Sequence, residues 1–379
     1  MTPINIQEYV AQNTELLFRT LRELCAIPAP SGMEDERAAY CKTWLENAGA
    51  EGVYIDSAKN TVFPLSCDGK DTITAVVAHT DTVFPDTEPM PYLDDGEKIF
   101  CPGVGDDTAS LSVLLVCAKD CIEQNLRPRE GLLFVCNSCE EGLGNLKGIK
   151  QIMQDYAGRI TRVYTFDETY DELVTKCVGS HRYELTLQTE GGHSFNNFGN
   201  RNAIIAAAQL IQRLSACDIP QNGQGKTTFN VGTITGGTSV NTIAQNATFT
   251  YEYRSDSRED LQKMQQFFQT TVEQAQKENI AQITVTMLGE RPCGGQVDEK
   301  VLQEMIDEAV AISQKHSGIP CACVSGSTDC NIPMSLGVPA ICVGGYLGNG
   351  AHTREEKVRI DSIAVGLKIA AELILSYFQ

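Results

Sequence analysis

The chain has 379 residues, 42% of them hydrophobic and 21% charged, a composition typical of a soluble globular protein and long enough for two domains. Its formal net charge of −19 argues against nucleic acid and against an anionic membrane surface as partners. No apolar run approaches the roughly 18 residues that a membrane span requires.

The cysteines and the N-terminal segment indicate the cellular compartment. The fifteen cysteines show no spacing typical of a disulfide framework or a zinc ribbon, and many, such as Cys117 and Cys136, lie in apolar runs. The segment MTPINIQEYVAQNTELLF has no basic region and no continuous apolar stretch, so no signal peptide is expected. We therefore expect a cytoplasmic protein with reduced thiols.

The first half of the chain alternates helical and strand patterns. Apolar spacing over 15–50 predicts a helical region, in which Ser31 and Glu34 have the spacing of a capping box. The apolar runs TITAVVAHTD, GLLFVCNSCEE and RVYTFDE then read as strands, separated by helical runs. This alternation predicts an α/β fold with a mostly parallel sheet covered on both faces.

The middle of the chain has a different pattern. From about 180 to 290, alternating strands and two amphipathic helices follow the order βαββαβ, which is the ferredoxin-like arrangement. The sequence after it returns to the style of the first half. We therefore predict one domain formed by 1–178 and 291–379, with a second domain inserted at 179–290.

Acids and histidines follow the apolar runs at five places along the chain. The carboxyl ends of parallel strands meet at one edge of a sheet, so these side chains are expected to gather there. Two imidazoles with a surplus of carboxylates form the ligand set of a two-metal hydrolytic site. The candidate residues are His79, Asp81, Asp106, Glu140, Glu141, Asp167 and His352.

The single clusters differ in how specific they are. Asp106 or its neighbour Asp107 could be no more than an N-cap, because both lie in a glycine-rich turn before a helix. The adjacent Glu140 and Glu141 are a stronger signal, since two neighbouring carboxylates repel unless cations neutralise them. Glu168 remains a rival ligand beside the acid before it.

In order along the chain, HTDTV, GVGDD, EE, the strand-end aspartate, GGHS and GAHTREE resemble the co-catalytic zinc metallopeptidase family. That family includes peptidase T, carboxypeptidase G, the aminoacylases and the acyl-amino-acid deacylases. HTDTVFPDTEP and EEGLGNLKG look closer to the peptidase T branch. Thr108 stands where the family has a lysine, and NTIAQN lacks the family's proline, so the fine shape of the site and its substrate can differ.

The resemblance implies two divalent metal ions per chain, with zinc expected and cobalt or manganese as alternatives. His79, Asp106 and Asp167 would hold one ion. Asp106, Glu141 and His352 would hold the other.

The resemblance also implies roles around the metals. Asp81 would orient the first imidazole, and Glu140 would be the general base toward a water that bridges the metals. The inserted domain would act as a lid and a dimerisation domain. From it, His193 would reach the carbonyl group of a substrate bound in the partner subunit. Asn241 and Arg254 would bind the substrate.

The implied function is zinc-dependent hydrolysis of an amide bond in short peptides by a cytoplasmic homodimer, as a dipeptidase or tripeptidase. A deacylase or desuccinylase acting on N-acyl amino acids or related small amides remains an alternative. A non-catalytic relative that binds a small peptide is a more remote one, because Glu140 and His352 are both present.

Overall fold

The computed structural model describes residues 5–220 and 225–378, and the chain divides into two compact units. Val178–Gly294 is the inserted unit, and the chain on either side of it forms the main unit. Within these residues, every helix is too short or too polar to serve as a bilayer span.

The helices and strands are numbered along the whole chain. The helices are α1 (Ile6–Cys25), α2 (Asp35–Asn47), α3 (Ser110–Glu123), α4 (Lys147–Asp155), α5 (Ala203–Ser215), α6 (Arg258–Lys277), α7 (Glu299–Ser317), α8 (Asn331–Ser335) and α9 (Ile360–Leu375). The strands are β1 (Tyr54–Ile55), β2 (Thr61–Leu65), β3 (Ile73–His79), β4 (Leu93–Asp94), β5 (Lys98–Phe100), β6 (Gly131–Asn137), β7 (Ile160–Phe166), β8 (Glu172–Cys177), β9 (Gly179–Gln188), β10 (Gly192–His193), β11 (Thr227–Gly236), β12 (Thr242–Ile243), β13 (Asn246–Ser255), β14 (Gln282–Arg291), β15 (Ala322–Gly326), β16 (Ala340–Val343), β17 (Gly348–Asn349) and β18 (Lys357–Arg359).

The main unit is built on an eight-stranded sheet with the order β1-β2-β6-β3-β7-β16-β8-β15. The central strands β6, β3, β7 and β16 are parallel to one another, and β15 is parallel to β8. The remaining pairs, β1–β2, β2–β6 and β16–β8, are antiparallel. The predicted α/β class with a mostly parallel central sheet is therefore confirmed.

Both faces of this sheet are covered, which explains why β3 is buried along its whole length. Val76 and Ala78 pack into a core with α1, α3 and α9 on one face. Ala75 and Val77 pack into a second core with α4 and α8 on the other. Because both faces are covered, the ionisable side chain of β3 comes only at its last residue, His79.

The N-terminal helical region differs from the expectation for 15–50. It consists of two helices, α1 and α2, with an irregular segment between them. The predicted capping box was wrong: α2 begins after Glu34 without a side-chain cap. The hydroxyl of Ser31 instead donates to Asp81 Oδ2 at 2.6 Å. A tertiary hydrogen bond to a buried carboxylate thus replaces the helix-capping hydrogen bond that the spacing predicted.

The inserted unit has the element order β9-α5-β11-β13-α6-β14, with the short pair β10–β12 at one end. Its four-stranded sheet has the order β11-β13-β9-β14, and all neighbouring strands are antiparallel. Helices α5 and α6 pack on one face, where the ring of Phe268 stacks on Tyr183 with 4.2 Å between centroids. This is the ferredoxin-like order and layering.

Helix α9 gives a test of how tightly the main unit packs. A Cβ on Gly366 would overlap the carbonyl oxygen of Gly345. We predict that Gly366→Ala lowers the free energy of unfolding by about 1–3 kcal/mol, the usual cost of overpacking, although alanine is the better helix former. Denaturant unfolding followed by circular dichroism measures the change. An unchanged or raised midpoint would show that the two backbones are not in contact.

Candidate metal centre

Three adjacent parallel strands bring polar side chains to one edge of the main sheet. His79 is the last residue of β3, Glu140 and Glu141 follow β6, and Asp167 directly follows β7. Since β6, β3 and β7 are neighbours, their carboxyl ends place these side chains together.

Two more side chains come from irregular segments. Asp106 lies in a tight turn, Val104–Ala109, that leads into α3, and its peptide bond to Asp107 is cis. His352 lies in the loop between β17 and β18, with a left-handed φ of 65°. A turn and a loop therefore add two further side chains to those at the ends of the strands.

The carboxylate of Asp106 lies between the two imidazoles. Its Oδ1 is 3.0 Å from His79 Nε2, and its Oδ2 is 3.0 Å from His352 Nε2. Asp167 Oδ2 lies 3.8 Å from His79 Nε2, and Glu141 Oε1 lies 3.3 Å from His352 Nε2. The structure thus brings together two groups of side chains that share Asp106.

These residues fit divalent metal ions. His79, Asp106 and Glu141 each offer a ligand atom, and these atoms all lie within 4.8 Å of one another. Imidazole nitrogen with carboxylate oxygen is the donor set that zinc takes. A carboxylate whose two oxygens face different imidazoles is suited to be shared between two ions.

The pKa values of the carboxyl groups report how much negative charge is gathered here. Burial, and then the charge of Asp106, raise the pKa of Glu141 to about 8. Burial, followed by the charges of Asp106 and Asp107, raises the pKa of Asp167 well above its usual range. The centre therefore needs compensating positive charge to keep these groups ionised.

The pKa values of the two histidines are raised as well, which for an imidazole favours the charged form. Hydrogen bonds to Asp106 and Glu141 raise the pKa of His352 to about 10. Burial opposes protonation of His79, but its hydrogen bonds to Asp106 and Asp81 outweigh burial and raise its pKa well above the ordinary value. Because an imidazole binds metal only as the neutral ring, protons and metal ions compete for both side chains.

Asp81 is fully buried and connects the first histidine to the glutamate pair. Its backbone carbonyl oxygen lies 3.1 Å from His79 Nδ1 and its Oδ1 lies 3.5 Å from the same atom. Its carboxylate accepts the backbone N–H of Glu140 and of Glu141, each at 2.9 Å, and the hydroxyl of Ser31. Asp81 thus orients the ring and fixes the backbone of both glutamates.

The neighbour of Asp106 has a supporting role. Asp107 is buried, and its Oδ2 accepts the backbone N–H of His79 at 2.9 Å. Of the two acids that the sequence left open, Asp106 is therefore the one whose carboxylate faces the imidazoles, while Asp107 holds the end of β3.

Arg37 is a residue near the centre that the sequence did not single out. Its guanidinium is fully buried and donates to the carbonyl oxygens of Ile27 and Thr80, each at 2.8 Å. It also donates to the hydroxyl of Thr108 at 3.3 Å. An arginine in the polar helix α2 has no periodic signal that would mark it as buried, so only the structure reveals it.

His193 and Asn241 lie side by side in the inserted unit. Strand β10 pairs with β12, so that His193 lies opposite Thr242. The side chain of His193 is exposed, and its Nδ1 accepts the backbone N–H groups of Phe195 at 3.3 Å and Asn196 at 3.4 Å. The neutral ring therefore carries its proton on Nε2, as a hydrogen-bond donor.

Arg254 lies elsewhere in the inserted unit. Its guanidinium makes two hydrogen bonds of 3.0 Å to the carboxylate of Glu252. It lies eight residues along β13 from Asn246, about 27 Å at about 3.4 Å per residue. The β10–β12 pair is near the Asn246 end, so the fold of this unit does not bring Arg254 together with His193 and Asn241.

Three proteins are similar to this chain over most of its length. Carboxypeptidase G2 of Pseudomonas sp. is 26% identical over 381 residues, which covers 95% of this chain and 88% of that protein. Succinyl-diaminopimelate desuccinylase of Corynebacterium glutamicum is 22% identical over 349 residues, which covers 90% of this chain and 91% of that protein. The structure of the aminopeptidase PepT from Bacillus cereus superimposes with a TM-score of 0.74 at 20% identity and covers 97% and 99% of the two chains, which shows a shared fold.

A family match covers all the motifs of the main unit. Residues 75–376 match the family described as Peptidase family M20/M25/M40. This range begins before His79 and ends after His352. The resemblance inferred from the motifs is confirmed, and the chain belongs to peptidase family M20/M25/M40, whose members are hydrolases that act on amide bonds.

Proposed function

We propose that this protein hydrolyses an amide bond of short peptides, as a dipeptidase or tripeptidase, and that it works with two divalent ions, expected to be zinc. The observation that carries the proposal is the carboxylate of Asp106, which faces His79 on one side and His352 on the other. The likeness in motifs to the peptidase T branch supports a peptide substrate.

In this proposal His79, Asp106 and Asp167 would hold one ion, and Asp106, Glu141 and His352 would hold the other. The bound ions supply Lewis acidity, which lowers the pKa of a water molecule and polarises the substrate carbonyl. The protein holds His79 and Asp167 at the ends of buried strands and Asp106 in an anchored turn, while His352 comes from the loop between β17 and β18.

Glu140 is the proposed general base. Its side chain is 5% exposed, and its backbone N–H is bound to Asp81. It accepts a proton from the attacking water and then gives that proton to the leaving amine nitrogen as the C–N bond breaks. Since Asp81 also accepts the N–H of Glu141, the backbone positions of the proposed base and the proposed ligand are fixed relative to each other.

We assign the inserted unit to substrate contact and dimerisation. The Nε2–H of His193 is suited to donate to the oxyanion that forms at the carbonyl carbon, with Asn241 beside it. Phe195 and Phe198 follow His193 and are 85% and 90% exposed. Large apolar side chains exposed together favour an interface, so we propose that a second copy of this chain covers them. His193 would then act on the centre of the partner.

A deacylase or desuccinylase acting on N-acyl amino acids is the second candidate. The same centre can hydrolyse either kind of amide, and the similarity to a desuccinylase favours this alternative. The two classes of substrate differ in the chemical groups on the amine side and on the acyl side of the amide bond that is cleaved. Turnover of unblocked dipeptides and tripeptides, compared with N-acetyl and N-succinyl amino acids, discriminates between them.

Metal removal tests the proposal directly. We predict that a chelator abolishes hydrolysis of whichever substrate in this panel is turned over, and that zinc, cobalt or manganese restores it, with up to two ions bound per chain. The reason is that the gathered carboxylates need cations before they can hold a reactive water. Metal content and rate are measured on the same sample. Full activity in metal-free protein would rule out the two-metal centre.

The adjacent glutamates provide a matched pair of variants. We predict that Glu140→Gln keeps metal and fold but loses about two to four decades of kcat, the usual contribution of general acid–base catalysis. Glu141→Gln is expected to weaken metal binding instead. Metal titration and steady-state kinetics of both variants measure the difference. If both variants lost metal alike, the assignment of base and ligand within the pair would be wrong.

Subunit mixing tests the role of His193. His193→Ala and Glu140→Gln are each expected to be inactive as homodimers. After subunit exchange, mixed dimers should regain activity in one of their two sites, where the chain with Glu140 receives His193 from its partner. Exchange is verified by native mass spectrometry of differently tagged chains. If exchange occurs and no activity returns, His193 does not act across a dimer.

A further inference from the structure

Glu356 is a buried carboxylate that the proposed mechanism does not use. It is 2% exposed, whereas the adjacent Glu355 is exposed. One of its oxygens accepts the backbone N–H of Gly103 at 2.5 Å. The other accepts the N–H groups of Gly105 at 2.8 Å and Asp106 at 2.9 Å. Three backbone donors of the turn before α3 thus converge on a single side chain.

The glycines of this turn make the convergence possible. Gly103 has a left-handed φ of 75°. A Cβ on Gly105 would lie 2.6 Å from ring atoms of Tyr346, so no side chain fits there. A turn of this kind forms an anion-binding concavity of backbone N–H groups. Glu356 fills that concavity from within the chain.

The backbone of Glu356 is itself held in place. Lys357, the first residue of β18, pairs with Phe100 of β5. The carbonyl oxygen of Glu356 accepts the N–H of Cys101 at 3.3 Å. The side chain and the main chain of Glu356 therefore bind the same stretch of chain, just before Asp106, at two separate points.

This arrangement acts directly on the shared ligand. Asp106 donates its backbone N–H to Glu356 and presents its carboxylate oxygens to His79 and His352. His352 lies four residues before Glu356 in the same segment. One carboxylate thus ties the turn that bears the shared ligand to the segment that bears the last histidine.

The contacts of Glu356 argue against two other roles. A solvated surface charge does not fit, because the side chain is buried. Metal ligation is not indicated either, since both oxygens are directed at backbone N–H groups of the turn rather than at the imidazoles. The bond to the N–H of Asp106 points to an effect on metal binding that is exerted through that residue.

We propose that Glu356 is a positioning residue, which sets the affinity of the centre for divalent metal by holding the Asp106 turn against the His352 segment. This inference rests on the proposed metal-dependent function. It predicts that the loss of this carboxylate weakens metal binding although no proposed ligand has changed.

The test is a zinc titration of the metal-stripped full-length protein by calorimetry. Glu356→Gln replaces one acceptor oxygen by an NH₂ group, which must face a backbone N–H, so the turn cannot keep its present geometry. We expect zinc affinity to fall by about 10–100-fold, the usual effect of losing a residue that orients a ligand. The d–d absorption spectrum of the cobalt-loaded protein should change as well. Glu355→Gln, which removes an adjacent exposed carboxylate, should match the wild type in both measurements.

A second variant covers the case in which Glu356→Gln does not fold. Glu356→Asp keeps both oxygens but withdraws them by one methylene, and a smaller loss of zinc affinity is expected. Thermal unfolding without metal establishes that each variant is folded at the titration temperature. Wild-type zinc affinity and cobalt spectrum in either folded variant would overturn the inference, even if stability fell, because the role would then be structural only. A wild-type protein that binds no zinc would instead overturn the proposed function.

Discussion

The position of one carboxylate, that of Asp106 between two imidazoles, is the constraint on which the rest of the centre depends. Its oxygens lie 3.0 Å from His79 Nε2 and 3.0 Å from His352 Nε2, and further acids lie close by. Glu141 offers a ligand atom within 4.8 Å of one on Asp106. Buried carboxylates that lie so close together are unstable as anions unless positive charge is supplied. Protons and metal ions are the two possible sources, and the raised pKa values of the histidines and of Glu141 show how strongly the centre demands one of them.

The second feature of the centre is that carboxylates also hold its backbone. Asp81, Asp107 and Glu356 are buried and accept N–H groups of the glutamate pair, of the first histidine and of the shared aspartate, respectively. Backbone donors have fixed directions, so such bonds orient a ligand without adding another flexible side chain. Asp106 and Asp107 therefore divide two tasks between them, since the first faces the imidazoles and the second holds the backbone of His79.

The sequence predicted the sheet and its polar edge well, because strands buried on both faces are continuously apolar and their ends are marked by acids. It could not predict interactions in which a distant contact replaces a local one. Ser31 has the spacing of a helix cap but bonds to a buried aspartate instead. Arg37 is buried although its helix is polar, and Glu356 lies beside an exposed acid that looks identical in sequence. Arg254 matched a family motif, yet only the length of β13 shows its distance from His193.

The first and last strands of the inserted unit, β9 and β14, are neighbours in its sheet. Ser180, near the start of β9, pairs with Arg291 at the end of β14. The entropy lost on closing a flexible loop grows with the length of the loop. A long flexible insertion would therefore lower the stability of the domain that contains it. When the insertion is folded and its two ends are hydrogen-bonded neighbours, the entropy lost on closure is comparable to that of a short hairpin loop. We therefore expect changes in the length or surface of this unit to leave unaffected the closure of the sheet that carries the proposed metal ligands.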